Sequence, residues 1–263
     1  MSTLITYKIV SDVNGRLKEA ARTACNFWNR FVQPQSSIVI RLGIFTSFGT
    51  TIARAYKPYS QGGVVYGVVE FNTNFLAEFS DNEVAGTVVH ELGHTLGIGW
   101  DKWMTLFDPQ TGLFTPQAVK SLPSLKKMHV ETDYGPGTTL SHWDEERFGA
   151  ELMTGLKGGS EHVLPVTIEV VGLLGHKVVE RLGNKTPLDT LLTQVAAIQF
   201  SQKDAAKALD LDHFEVTPIW EETYDFLISD LSQQSSGSTR DAESSSLQLG
   251  SADQGSGRAC SGG

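Results

Sequence analysis

Residues 90–100 read His-Glu-Leu-Gly-His-Thr-Leu-Gly-Ile-Gly-Trp. On a helix, side chains four apart lie on one face, so His90 and His94 can aim both imidazoles at one metal ion. Glu91 is not needed as a ligand. It can polarise a water beside the metal and pass the proton to a leaving group. The spacing alone points to metal-assisted hydrolysis, with Glu91 as general base. Because His-Glu-x-x-His also arises by chance on solvated helices, its surroundings decide its weight.

Those surroundings have the form of a complete helix. Ser80-Asp81-Asn82-Glu83 reads as a capping box, in which the serine hydroxyl and the glutamate carboxylate satisfy the first free backbone N–H groups. Ala85, Val89, Leu92 and Leu96 form an apolar stripe on roughly the opposite face from the two histidines. The helix is therefore expected to bury one side and to present His90 and His94, with small residues such as Gly86, from the other. Gly97 is a natural stop, since glycine adopts the left-handed conformation that ends many helices.

A catalytic zinc takes three protein ligands and keeps a position for water. In the short metzincin pattern the third ligand follows the helix glycine by three residues. That position here is Trp100, which cannot bind zinc, and Asp101 is one residue out of register. The search moves downstream to His142, in Ser141-His142-Trp143-Asp144-Glu145-Glu146-Arg147-Phe148-Gly149-Ala150-Glu151-Leu152-Met153-Thr154-Gly155.

Together the two segments resemble the leishmanolysin-like metallopeptidases, a metzincin family. In that family an insertion displaces the third histidine, which opens a segment beginning His-Trp and ending Glu-Leu-Met. The resemblance implies Zn2+ as cofactor, His142 as third ligand beside His90 and His94, and Met153 as the methionine of a tight turn beneath the metal. It also implies a peptide or protein substrate. Leu164–Leu182 looks like the family's next helix, with a departing end, and the resemblance spans roughly residues 80–182. Other third ligands stay open on the residues themselves: His129 in a lysine-containing stretch, His162 and His176 beyond the turn, or Glu145, Glu146 or Glu151 in a gluzincin arrangement. That last arrangement offers no reason for Gly97 or for Glu-Leu-Met.

The rest of the chain bounds this reading. At 263 residues it can build one sizeable core or two small subdomains. A net charge of −9, with no basic patch, argues against a nucleic-acid surface. No apolar run has membrane-spanning length, and a monomer is expected. Only Cys25 and Cys260 occur, so there is no disulfide framework. Cys25 falls within Leu17–Val32, where Leu17, Ala20, Ala21, Ala24, Phe27, Trp28 and Phe31 keep helical spacing, and reads as a small buried hydrophobe. MSTLITYKIV reads as a strand, not a signal peptide. The resemblance suggests a secreted or cell-surface protein, so either the chain is trimmed or it acts where it is made.

Pattern changes set out the organisation. Residues 4–10 and 37–45 read as strands flanking the 17–32 helix, and 50–56 and 64–71 as strands joined by the turn-rich 57–63. Residues 101–141 form the insertion, and 164–182 and 187–231 read mainly as helix. The expected fold is α+β and metzincin-like: a twisted mixed β-sheet with two long helices above a smaller, mainly helical lower subdomain. The catalytic domain would be 1–231, its upper part about 1–99 and its lower part about 100–231. Residues 232–263, with 10 serines, 6 glycines and no aromatic, read as a disordered tail. Its Cys260 is either a tail cysteine or a thiolate that reaches the zinc and holds the enzyme latent.

The end of Val64–Phe71 should lie close to the metal. In metzincins, which this chain resembles, the strand at this position forms the sheet edge, and its residues Val68, Val69 and Glu70 would pair there with an extended substrate. The apolar run Val64–Val69, broken by Gly67, equally fits a central strand with no free edge. Two other function classes fit the motif: a metal-dependent amidase or esterase on a non-protein substrate, and a non-catalytic zinc-stabilised binding module. Glu91 speaks against the module, because a structural site has no use for it.

Overall fold

The run Ile38–Phe45 is apolar at almost every position, as a strand covered on both faces requires. In the computed structural model, which describes residues 3–198 and the backbone of 223–228, it lies inside the main sheet. The elements of the first half are β1 (Ile5–Ile9), α1 (Arg16–Phe31), β2 (Val32–Gln33), β3 (Ile38–Phe45), β4 (Thr51–Gln61), β5 (Val64–Asn72), α2 (Thr73–Glu78) and α3 (Asp81–Thr95). There follow α4 (Pro116–Ser121), α5 (Glu145–Phe148), β6 (Leu156–Lys157), β7 (His162–Val163), α6 (Pro165–Leu173), β8 (Lys177–Val178), β9 (Thr186–Pro187), α7 (Leu188–Ala196) and β10 (Thr223–Ile228).

The protein is α+β with a mixed six-stranded sheet in the order β1-β3-β5-β4-β10-β6. β1 and β5 flank β3 in parallel, with Ile5 opposite Ile38 and Ile40 opposite Gly67. β4 runs antiparallel to β5, and β10 antiparallel to β4. Two small ribbons, β2 with β8 and β7 with β9, lie outside this sheet. β4 is longer than expected: most of the turn-rich stretch 57–63 is strand, and only Gly62 and Gly63 turn, both at positive φ. Pro58, which cannot donate to a ladder, falls where the β4–β5 register shifts between Tyr56 and Tyr59.

The expected edge at Val64–Phe71 is not there. β5 pairs with β3 on one side and β4 on the other, so the main chain of Val68, Val69 and Glu70 is committed within the sheet. The apolar run carried that information, and Gly67 has a packing cause. A Cβ there would come within 2.6 Å of both Thr95 Cγ2 and Oγ1, so the missing side chain lets α3 lie close on β5.

Both long helices form where periodicity places them. α1 buries Leu17, Ala20, Ala21, Ala24, Cys25, Phe27, Trp28 and Phe31. The Asp12 carboxylate accepts from the amides of Leu17 (2.9 Å) and Lys18 (3.1 Å), satisfying the first turn. α3 carries the capping box in full: Ser80 Oγ accepts from Glu83 N and a Glu83 carboxylate oxygen accepts from Ser80 N. One expectation fails, because every residue from Val84 to Leu96 is buried. The histidine face is covered as fully as the apolar stripe.

From residue 100 to 198 the chain is less helical than expected. No helix there exceeds nine residues, and loops and isolated bridges carry most of the path. The expected helix over 164–182 stops at Leu173, and Gly175 at φ +114 turns the chain so that Lys177–Val178 pairs with β2. Within the expected helical stretch 187–231, α7 is helix, but Thr223–Ile228 is strand. Residues 199–222 and 229–263, including the expected tail and Cys260, lie outside the described residues. Buried apolar residues from before and after residue 100 belong to one continuous core. Among the described residues no helix is long and apolar enough to cross a membrane.

Candidate metal centre

Gly97 ends α3 in a way that serves His94. With φ at +107 it bends the chain sharply, and Ile98 N donates back to Gly93 O. The turn carries the Ile98 carbonyl under the imidazole, where it accepts from His94 Nδ1 at 3.0 Å. The other two histidines are held alike. His90 Nδ1 donates to Leu152 O at 2.6 Å, and His142 Nδ1 donates to Thr138 O at 3.0 Å, with Ser141 Oγ at 2.8 Å.

Each Nδ1 hydrogen is thus spent on a backbone carbonyl, which leaves each Nε2 as the lone-pair nitrogen. The three Nε2 atoms converge: His90–His94 3.2 Å, His94–His142 3.1 Å and His142–His90 3.2 Å. With their hydrogens on Nδ1 they have none to share, so three lone pairs face one another in a buried space. A bound cation would satisfy that arrangement. All three rings are at most 1% exposed, and burial, the first cause in each case, favours the neutral form. It holds His94 down at about 4 and His90 and His142 well below the ordinary imidazole value, the latter two reinforced by their neighbours' charge.

These three buried histidines lie close enough to hold a metal ion, and among the described residues they form the cluster of donors that could do so. A tetrahedral zinc with bonds of about 2.0–2.1 Å sets its ligand nitrogens about 3.3–3.4 Å apart, within a few tenths of an ångström of the spacing found. Glu91, fully buried on the same helix, is not part of the cluster. The rival ligands are elsewhere. His176 Nε2 donates to Leu96 O and its Nδ1 accepts from Gln35 N. His129 and His162 are only partly buried and lie outside the cluster.

Met153 is fully buried and lies under the helix. A Cβ at Gly93 would sit 2.6 Å from Met153 Sδ and 3.5 Å from Trp28 Cζ2. Gly93 is therefore small because the methionine packs against the backbone between the two helical histidines. Its signal was legible, since a glycine inside a helix costs about 1 kcal/mol and calls for a packing reason.

Sequence reasoning missed what organises the Met153 turn. Glu151, weighed above only as a ligand, is buried and accepts from Met153 N (2.7 Å), Leu164 N (3.0 Å) and Thr167 Oγ1 (2.6 Å). Burial pushes its carboxyl up to about 7, against the downward pull of those hydrogen bonds. Trp143 N donates to Met153 O at 2.9 Å, so the segment after His142 is laced to the same turn. Glu131 anchors the approach: its carboxylate accepts from Thr132, Asp133 and Glu145 amides, and its own amide donates to His142 O. The carbonyls of Thr138, Leu152 and Ile98 carry no side-chain signal that could have marked them.

No protein-family model matches this chain, and no curated protein matches it.

Proposed function

We propose that this chain is a zinc-dependent endopeptidase of the leishmanolysin-like kind, with His90, His94 and His142 as ligands of Zn2+ and Glu91 as general base. One observation carries the reading. Three buried imidazoles, each with its Nδ1 hydrogen given to a backbone carbonyl, turn their Nε2 lone pairs on one another beside Glu91 on α3. Three imidazoles make a donor set that suits zinc and leaves room for a fourth, exchangeable position. Zinc bound there would supply Lewis acidity, drawing the pKa of water toward about 7 and polarising a carbonyl.

The chain's own residues do the rest. The Glu91 carboxylate takes the proton of the attacking water and returns it to the departing amine as the C–N bond breaks. The carbonyls of Leu152, Ile98 and Thr138 fix the imidazole tautomers and orient the rings. Met153 and Gly93 set the depth at which the helix lies over the turn. The peptide as substrate comes from the resemblance of the segments 90–97 and 142–153; the geometry speaks to metal-assisted hydrolysis.

The test is caseinolysis with and without a chelator, on the chain and on Glu91→Gln. The variant should retain zinc and fold while losing about 10²–10⁴-fold in rate, because an amide cannot accept the proton. Loss of zinc from Glu91→Gln would make Glu91 a ligand and end this mechanism. Chelator-sensitive hydrolysis of small amides or esters, with casein untouched, would move the chain to the non-protein amidase or esterase class.

A further inference from the structure

β10 enters the sheet from a different part of the chain than its neighbours. Four of the other five strands lie between Ile5 and Asn72, and β6 lies at Leu156–Lys157. Thr223–Ile228 runs between β4 and β6, antiparallel to the first and parallel to the second. Thr223 stands opposite Tyr56, Asp225 opposite Arg54 and Leu227 opposite Leu156. Without it β4 would be an edge strand, and β4 and β6 would face each other across a slot one strand wide.

That slot adjoins α3, the helix that carries His90 and His94. β6 begins three residues after Met153, whose thioether packs on α3 between His90 and His94. β4 packs against α3, and Cα atoms of β10 come within 8 Å of that helix. An extended chain placed there finds backbone partners on both sides, so its main chain, more than its side chains, is what the walls recognise. The binding edge expected on β5 is thus transferred to β4 and β6.

We infer that residues Thr223–Ile228 are a built-in occupant of the space between β4 and β6, a segment of the chain itself that an incoming extended peptide must displace. A segment tethered to the same chain competes at an effective concentration on the order of millimolar, so it weakens every peptide held by the same backbone bonds. This deepens the peptidase reading, and its test reads binding, not turnover, so that the two fail separately.

The probe is a fluorescent ten-residue peptide copying residues 221–230, titrated by anisotropy into the zinc-loaded full chain carrying Glu91→Gln, so that it is not consumed. The comparison variant adds Asp225→Pro and Phe226→Pro. Adjacent residues of a strand point their N–H groups to opposite neighbours, and proline removes both donors. The proline variant should bind the probe at least about tenfold more tightly than its parent, and a probe N-methylated at alternate backbone nitrogens should lose that gain. Equal binding by the two chains would show that β10 is a fixed sixth strand and would overturn the inference.

If the proline variant fails to fold, a site-specific protease sequence inserted at residue 210 lets the folded full chain be cut instead. Exchange of the severed segment for labelled probe, with the melting transition kept, supports the slot; a segment that never exchanges, or a core that unfolds on cutting, overturns it. Probe binding that shifts as expected in a chain that hydrolyses nothing would leave the slot standing and end the peptidase reading. Hydrolysis with no shift in binding would do the reverse.

Discussion

Up to Gly97 the chain is built from helices of 16 and 15 residues and four strands of five residues or more; from Trp100 to Ile198 no helix exceeds nine residues and no strand exceeds two. Both regions are well buried, but by different means. In the first, repeated apolar positions on α1, α3 and the sheet do the work, and any one contact is replaceable in kind. In the second, an aromatic group of Trp103, Phe107, Phe114 and Trp143, with ring centroids 5.1–6.0 Å apart, fills the interior. Its loops are tied by two buried carboxylates, Glu131 and Glu151, that gather backbone amides. The histidine cluster joins the two styles: α3 delivers His90 and His94 by helical period, and tied loops deliver His142 and Met153.

The comparison breaks first at Glu151. Glu151→Ala should destabilise by about 3–5 kcal/mol, because it strands the Met153 and Leu164 amides and the Thr167 hydroxyl in a buried site. It should also lower metal affinity, since the same turn carries the Leu152 carbonyl that holds His90. Chemical denaturation and metal titration read both effects. A loss under about 1 kcal/mol would mean that the loops rest on apolar packing, as the first region does.

The seam comes next. Gly93→Ala sets a methyl against Met153 Sδ and should cost about 1–3 kcal/mol as overpacking. In a Met153→Ala background the same substitution should cost far less, and a double-mutant cycle measures the difference. Additive effects would show that helix and turn do not press on one another there.

This division is also why some of the structure was legible and some was not. The α1 spacing, the Ser80–Glu83 box, Gly97 and the strands 38–45 and 64–71 all follow from periods and caps, which are local properties. His142 and Met153 could be placed only through a resemblance, because loops bring them to α3 from 48 residues or more beyond His94. Which strands flank β5 and the pairing of β10 with β4 are choices among strands far apart in sequence, and a pattern read one segment at a time does not contain them. The histidine-facing side of α3 looked exposed because the segment that covers it is irregular.

The smallest expected effect lies in the periodic region. Ser80→Ala removes one half of the capping box and should cost about 1 kcal/mol, with no change in metal binding, since α3 is held by packing from Val84 onward. Thermal melts of apo and zinc-loaded protein should shift in parallel. A selective loss of the zinc-dependent increment would tie the cap to the site and blur the distinction drawn here.

Metal analysis of purified His90→Ala, His94→Ala, His142→Ala and His129→Ala, beside the unaltered chain, tests the central claim most directly. The account predicts one zinc per chain in the unaltered protein and in His129→Ala, and severe loss in the other three, because two imidazoles cannot complete the site. Full zinc retention by His142→Ala would contradict it.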